Sequence, residues 1–296
     1  MPRPPRKRPQ TVKAEILSVL CGDDFAMTEG VSRAMLELVD ARRLTAVSAM
    51  SSMPAWSEMA TDIRSRRDRV AIGLHLDLTL RPFLGKNRPY VLTHLVARSM
   101  FRALDVSAIA AEFERQFDAF EDALGFAPDH VDGHHHVHAL PRVRSALLRV
   151  LRRRYSTVPM ASRPLVRVPT DSLRRIVGRK GSRGKALIVA SLSSGLARDL
   201  RASGFEINFG FSGFSRFADN AGFASELAEF LKAPGPRHLI MCHPGRGGSP
   251  LSPIDSLSAR REAEYFTLLE SGALFRAILL INRPRDQPGH AYVAWR

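Results

Sequence analysis

Residues 14–24 read AEILSVLCGDD, an apolar run that ends in two adjacent aspartates. The run is rich in strand-forming residues and apolar on both faces, which is typical of a buried strand in a parallel sheet. Similar runs follow at residues 44–50 (LTAVSAM) and 70–80 (VAIGLHLDLTL). Thr28 is a good N-cap, and the apolar residues after it recur at helical spacing, which predicts a helix between the first two strands.

Alternation of strands and helices continues along the chain and predicts a single α/β domain with a parallel sheet, either open or closed into a barrel. Residues 1–13 are expected to be a basic, disordered tail, and residues 14–296 the domain. A loop is expected at residues 81–90, where it would lie over a functional site at the ends of the strands. The remaining predictions are strands at 128–138, 206–211, 238–242 and 275–281, and helices up to about Arg69, at 106–124, from Pro141, and at 187–200, 225–232 and 254–270.

Composition excludes several classes of protein. The two cysteines, Cys21 and Cys242, rule out a disulfide scaffold and fit a reducing cytoplasm. No apolar run approaches the roughly 20 residues of a membrane helix, and no apolar segment of a secretory signal follows the basic start. The chain is therefore expected to be cytoplasmic, without a transmembrane segment.

The net charge of +15 lies in blocks rather than along one periodic face. The block at residues 179–185 is expected to be a solvated loop, with a polyanion site as the alternative. No basic-aromatic stacking motif accompanies the charge, so no specific nucleic acid is expected as a partner.

Five of the ten histidines fall in HVDGHHHVH, residues 130–138. On an extended strand, His130, Asp132, His134, His136 and His138 would share one face. Imidazoles in a core require a metal ion, a carboxylate or water as partners, and Asp132 is placed to be such a carboxylate. An exposed, idle histidine run is the alternative.

Three more segments place ionisable residues at the ends of predicted strands. Asp23 and Asp24 follow the first strand, His75 lies late in the third, and His243 follows residues 239–242. An ionisable residue at a single strand end more often has a structural role. The carboxyl ends of parallel strands meet at one edge of a sheet, however, so these residues are expected to lie close together. An aspartate with two histidines leaves metal positions open for water and substrate, which favours metal-assisted hydrolysis.

Taken together, these motifs resemble the YdjC-like carbohydrate deacetylases, a family that includes the chitooligosaccharide deacetylases. The resemblance covers roughly residues 14–250 and implies a distorted (β/α) barrel that hydrolyses the N-acetyl group of an acetylated amino sugar with one divalent cation. The motifs that carry it are Cys21–Phe25, Leu44–Thr45 with Ser48 and Met50, Gly73–Leu76 with Leu78–Thr79, His130–His138 and Met241–Pro244.

By this resemblance, Asp24, His75 and His134 are metal ligands, Asp23 is the general base and His243 is the candidate general acid. Asp132 would orient an imidazole, and His136 and His138 would line or support the pocket. The ligand set leaves both Zn²⁺ and Mg²⁺ open.

The sequence differs from the usual family pattern at Cys21, Gly22, Ala26, Asp77 and Gly133, none of which is a proposed ligand. The differences at Cys21 and Asp77 fall near the expected substrate subsite. A metal-dependent phosphoesterase and a basic nucleic-acid-binding protein are the alternative functions. The oligomeric state is open, with a homodimer as one option.

Overall fold

The computed structural model describes residues 18–82, 88–215, 222–247, 257–272 and 278. Within them, seven strands and nine α-helices form a single α/β unit. The strands are β1 (Val19–Phe25), β2 (Ala46–Ala49), β3 (Ala71–Leu76), β4 (His130–Gly133), β5 (Leu165–Val166), β6 (Gly210–Ser212) and β7 (His238–Cys242).

The helices pack around this sheet. They are α1 (Glu29–Asp40), α2 (Trp56–Arg64), α3 (Leu92–Met100), α4 (Val106–Leu124), α5 (Val143–Tyr155), α6 (Leu173–Gly178), α7 (Arg183–Ala202), α8 (Phe223–Phe230) and α9 (Ser258–Glu270). Thr28 caps α1 as expected, since its side chain accepts a hydrogen bond from the Val31 N–H. The helix predicted at 106–124 has the bounds of α4.

All neighbouring strands are parallel, in the order β5-β4-β3-β2-β1-β7-β6. The two edges of the sheet approach each other at a parallel bridge between Val166 of β5 and Ile207, which lies shortly before β6. Asn208 adds a side-chain link there, because it accepts from the Val168 N–H (2.7 Å) and donates to the Val168 carbonyl (2.9 Å). The sheet is therefore a distorted (β/α) barrel, which confirms the predicted fold.

Alternate residues of the strands face either the helices or the barrel interior. Leu20, Val47, Ile72 and Val131 pack in the large outer core with the helices. The interior holds a smaller apolar cluster that includes Val19, Cys21, Ala46, Ala71, Leu165, Phe211, Leu239 and Met241. The next inward positions towards the carboxyl ends of the strands are polar, and they form the floor of the site described below.

The strand predicted at residues 128–138 is shorter than expected. β4 ends at Gly133, and residues 134–139 form a 3₁₀ segment in which His135 and His136 have positive φ angles of 51° and 58°. The alternation that would place five side chains on one face therefore holds for His130 and Asp132 but not for His136 and His138. The sequence pattern did not predict this turn, because the two residues that adopt positive φ angles are histidines rather than glycines.

The prediction of a solvated loop at residues 179–185 is confirmed only in part: residues 180–185 are exposed or half-buried, whereas Arg179 is not. Arg179 is buried, and its guanidinium donates to the carbonyls of Lys232, Phe211 and Ala233 and to Asp171. From residue 183 onward the block is the first turn of α7. Basic residues were expected in solvent, whereas the Arg179 guanidinium is buried because it hydrogen-bonds the backbone carbonyl groups of other segments.

Several boundaries differ from those expected. β1 extends through the aspartates to Phe25, and α5 begins two residues after Pro141. The sequence did not predict α3, α6 and the short strand β5. The predicted tail at 1–13 lies outside the described residues, as do the centre of the loop at 81–90 and most of the strand at 275–281. In the described part of the chain, no helix combines the length and apolar character needed to cross a bilayer.

His238, at the start of β7, is fully buried and held in one neutral form. The Gly235 N–H donates to its Nδ1 (3.2 Å), so Nε2 carries the proton and donates to Ser212 Oγ (2.9 Å). Burial, with the charge of Arg179, lowers the pKa of His238 to about 3, from an ordinary value of 6.5. Protonation at Nδ1 would remove the acceptor that Gly235 requires.

The protein should consequently lose stability as the pH falls below about 6.5, because the unfolded chain binds a proton at His238 before the folded chain does. At pH 5, the loss in the free energy of unfolding that is due to His238 is about 2 kcal/mol. In His238→Asn the amide oxygen can still accept the hydrogen bond from the Gly235 N–H, but the side chain has no group that titrates in this pH range. Urea unfolding at pH 7 and pH 5 should therefore show a smaller loss in the variant. Equal losses in the two proteins would contradict this prediction.

Candidate active site

A bulge in β1 brings two adjacent carboxylates to the same end of the barrel. Neighbouring residues of a regular strand point to opposite faces. Here the register with β2 shifts between Gly22 and Phe25, and Asp24 has a φ of 74°. Bulges redirect side chains in this way, and aspartate is among the residues that tolerate the left-handed region. Asp23 and Asp24 therefore line one cavity.

His75 is oriented by a carboxylate on the neighbouring strand. His75 and Asp132 are register partners on β3 and β4, and His75 Nδ1 lies 2.5 Å from Asp132 Oδ1. The Nε2 atom then faces Asp24 Oδ1 at 3.3 Å. A carboxylate on one ring nitrogen is a common partner of an imidazole that binds a metal through the other.

His134 completes a group of three side chains that could hold one metal ion. It follows β4 directly, and its Nδ1 lies 3.0 Å from Asp24 Oδ1. The ligand atoms of Asp24, His75 and His134 lie within 4.8 Å of one another. Bonds of about 2.0–2.1 Å to a tetrahedral ion place ligand atoms roughly 3.4 Å apart, so the donor set and its spacing fit a single cation.

The second oxygen of Asp24 is bound by an arginine from α9. Arg261 Nη2 donates to Asp24 Oδ2 at 2.7 Å. Burial alone would raise the pKa of Asp24, but His134 and Arg261, with hydrogen bonds from His134 and His75, hold it well below its ordinary value. The side chain is therefore a carboxylate, as metal binding requires.

Arg167 joins Asp23 to Asp132 inside the barrel. It follows β5, has no exposed surface, and its Nη1 donates to both Asp23 oxygens at 3.0 and 2.9 Å. Its Nη2 donates to Asp23 Oδ1 and to Asp132 Oδ2. Because β5 and β1 are not neighbours in the sheet, this contact crosses the barrel interior.

A further polar layer lies below these carboxylates. The Ser48 hydroxyl donates to Asp132 Oδ2 (2.6 Å) and accepts from His130 Nε2 (2.8 Å). Burial, with the charges of Arg167 and His75, lowers the pKa of His130 well below its ordinary value. Gly73 makes room for this ring, because a Cβ at that position would lie 2.2 Å from His130.

His243 follows β7 and is positioned from α9. Its backbone N–H donates to Glu264 Oε2 (2.5 Å), and its carbonyl accepts from Arg261 Nη1 (3.4 Å). Glu264 Oε1 in turn accepts from Arg260 (2.9 Å). Burial lowers the pKa of His243, an effect partly opposed by Asp24 and Glu264.

The predicted site residues line a single cavity of about 380 Å³. The structure brings together Asp23, Asp24, His75, His134 and His243, the five residues singled out from the sequence. Their chemical roles remain predictions.

Two other histidines of the run have different surroundings. His136 lines the cavity and packs against Phe211 and Phe214. His138 lies away from the cavity, and its Nε2 donates to the Arg167 carbonyl (2.8 Å).

Neither sequence difference near the expected subsite reaches the described lining of the cavity. Cys21 lies in the barrel interior, where burial raises the pKa of its thiol to about 12. Asp77 accepts from the N–H groups of Thr79, Leu80 and Arg81 and so stabilises the turn after β3.

Sequence reasoning missed three charged residues of the site, Arg167, Arg261 and Glu264. Arg167 had a usable signal, since a lone arginine between two valines in Val166–Val168 suggests a charge buried by pairing. Arg261 and Glu264 lie on a helix with many charges, where nothing in the pattern distinguishes them from exposed residues.

Comparison with known proteins gives a family for these motifs. A family model described as YdjC-like protein matches residues 18–277. A chitooligosaccharide deacetylase of Yersinia pestis bv. Antiqua (strain Angola) is 31% identical over 137 residues, and one of Yersinia pestis (strain Pestoides F) is 30% identical over 137 residues. Each match covers 44% of this chain and 53% of the relative, so the chain spans about half the length of the curated relatives it matches.

A solved structure supports the fold. A protein of Enterococcus faecalis V583, provisionally assigned to cellobiose-phosphate cleavage, superposes with a TM-score of 0.59 at 20% sequence identity. The alignment covers 91% of this chain and 98% of that protein. At this level of identity the likeness shows a shared fold.

Replacing Arg167 should be far more destabilising than replacing a surface arginine. In Arg167→Met, Asp23 and Asp132 lose their buried guanidinium, which is expected to cost about 3–5 kcal/mol. Arg66→Met is the matched control, because Arg66 pairs with Asp40 at the surface and such pairs contribute about 0–1 kcal/mol. Urea unfolding measures both; a loss in Arg167→Met no larger than in the control would contradict the role of Arg167.

Proposed function

This chain belongs to the YdjC-like family, and on that premise we propose that it is a metal-dependent hydrolase that removes the N-acetyl group from an acetylated amino sugar. The cluster of Asp24, His75 and His134 beside Asp23 is the main support for this activity. The names of the Yersinia relatives support an N-acetylglucosamine-containing oligosaccharide or glycoconjugate as the substrate.

Asp24, His75 and His134 would hold one divalent cation. Two imidazoles favour Zn²⁺ or another transition ion, while the carboxylate and open positions also suit Mg²⁺. When bound, such a cation lowers the pKa of a water molecule and polarises the acetyl carbonyl. Asp132 keeps the Nε2 atom of His75 directed towards Asp24, so the ligand set is oriented by the protein itself.

Asp23 is proposed as the general base, which accepts the proton of the attacking water. It lines the same cavity as the three ligands, and Arg167 binds both of its carboxylate oxygens. The guanidinium fixes the carboxylate plane within the barrel, so Asp23 meets its substrate in one orientation. Fixed orientation of this kind is a major source of catalytic rate.

His243 is proposed as the general acid, which protonates the departing amine. Glu264 and Arg261 hold the backbone of His243 at the edge of the cavity. Burial lowers the pKa of His243, so its protonated ring is a stronger acid but a smaller fraction of the protein carries that proton. Backbone N–H groups near the acetyl oxygen would stabilise the developing oxyanion.

The charge arrangement favours this activity over a two-metal phosphoesterase. Two-metal sites require carboxylates that bridge or bind a second cation. In the described part of the site, the carboxylates nearest the proposed ligands are Asp23 and Asp132, and Arg167 binds both. A second cation there would be repelled by the guanidinium.

The direct test is release of acetate from a panel of N-acetylglucosamine-containing compounds, before and after chelation. We expect acetate release that is lost with the chelator and restored by Zn²⁺ or Mg²⁺. Phosphoesters tested in parallel should remain intact. Phosphate release without acetate release would favour the phosphoesterase.

Asp23→Asn should separate metal binding from turnover. The substitution retains a side-chain oxygen near Arg167 but removes the base, so kcat should fall about 10²-fold or more. Metal content, measured by elemental analysis, should stay near that of the unchanged protein. Asp24→Asn is the matched comparison and should lower metal content as well; near-normal turnover in Asp23→Asn would refute the assignment of the base.

A further inference from the structure

The cavity has a polar part and a large apolar part. The polar part consists of the proposed catalytic and metal-binding side chains. Much of the apolar part comes from α3 and α7, and the five residues that these helices contribute are called here the apolar wall: Leu92, Val96, Ile188, Val189 and Leu192. The other apolar side chains of the lining are those of Ala139, Leu140, Met241 and Leu257. Leu92 and Val96 are one helical turn apart on α3, and Ile188 and Leu192 are one turn apart on α7.

The apolar wall continues a stripe whose other half lies in the core. Along α7, leucine or isoleucine occurs every fourth residue, at 188, 192, 196 and 200. Leu196 and Leu200 are fully buried in the core, whereas Leu192 is half-buried and the residue Ile188 is 65% exposed. The stripe therefore packs the helix at its carboxyl end and faces the cavity at its amino end. Contiguous apolar surface next to reactive groups is typical of a binding site.

A ligand made only of sugar rings would use this surface poorly. Sugar hydroxyl groups that leave water need hydrogen-bond partners, and aliphatic side chains provide none. Apart from the proposed catalytic and metal-binding groups, the charged or imidazole side chains in the described lining are those of Lys185, His135 and His136. A hydrocarbon chain has no such requirement, and each methylene that it buries should tighten binding about fourfold.

We propose that the substrate carries a hydrocarbon segment next to the amide, and that this segment lies on the apolar wall. The inference rests on the proposed function, since it places the amide among Asp23, Asp24, His75 and His134. The segment can belong to the acyl group of the amide or to an alkyl group linked to the sugar. Both sources present the same chemistry to α3 and α7.

Two series of compounds tell the sources apart. The first is glucosamine N-acylated with acetyl, butanoyl or hexanoyl groups, and the second is methyl, butyl and hexyl glycosides of N-acetylglucosamine. All are used with the full chain loaded with metal, below their micelle concentrations, and kcat/KM is measured from release of the free amine. We expect a rise of about tenfold or more from the shortest to the longest member in one of the series.

Variants connect that rise to the apolar wall. Ile188→Ser on α7 and Val96→Ser on α3 should each reduce the ratio between the longest and shortest compounds. Leu187→Ser is the matched control, because Leu187 adjoins Ile188 but does not line the cavity. Its ratio should equal that of the unchanged protein. A ratio that survives both Ile188→Ser and Val96→Ser would overturn the inference.

Failure of the inference and failure of the proposed function give different results. Acetate release with equal kcat/KM throughout both series would overturn the hydrocarbon segment and leave the deacetylase in place. If no compound is hydrolysed, the proposed deacetylase activity is refuted. Calorimetry on Asp23→Asn then measures whether the compounds bind to the apolar wall. Tighter binding of the longest than of the shortest member of either series then supports the proposed contact, and equal binding within both series overturns it.

Discussion

The Arg167 guanidinium, which lies between two buried carboxylates, is the interaction on which the site depends. Asp23 and Asp132 stand on different strands, and neither could be buried as an anion without a cation between them. Asp132 also binds His75 through its other oxygen. The orientation of a proposed metal ligand is therefore coupled, through one carboxylate, to the same arginine that holds the proposed base. A buried ion network of this kind often contributes less to the free energy of unfolding than apolar packing of the same volume. Its role here is therefore better explained by the orientation of Asp23 and His75 than by stability.

Arg261 repeats this arrangement at the edge of the barrel. It binds the outer oxygen of Asp24, while Glu264 from the next turn of α9 holds the backbone of His243. The first strand supplies the carboxylates, but a helix more than two hundred residues later fixes one of them. The site is thus complete only when both ends of the described chain are folded together, which explains why motifs near the first strand cannot by themselves describe it.

The sequence predicted the strand ends well and their local geometry poorly. Apolar runs followed by Asp24, His75 or His243 identify residues that a parallel sheet must bring together, because strand direction alone sets that edge. The bulge at Asp24 and the turn at His135 were invisible, since both put non-glycine residues in left-handed conformations that only tertiary contacts select. Arg167 follows a strand of only two residues, which is too short for any periodicity, so its two valine neighbours were the one available signal.

The groups proposed for catalysis and those proposed for substrate selection lie in different parts of this barrel. Many parallel barrels fill their interior with branched apolar residues, whereas here the lack of a side chain at Gly73 leaves room for His130 beside the charged layer. Most of the apolar packing lies outside the sheet, where helices such as α4 bury Phe113 and Phe117, and a smaller apolar cluster remains in the interior. Leu92 and Ile188 lie on helices and line the cavity, although Leu92 also packs against the outer core. Substitutions at these two positions could therefore alter which substrate binds and leave the ion network around Arg167 unchanged. The reaction would then stay the same while the ligand varies.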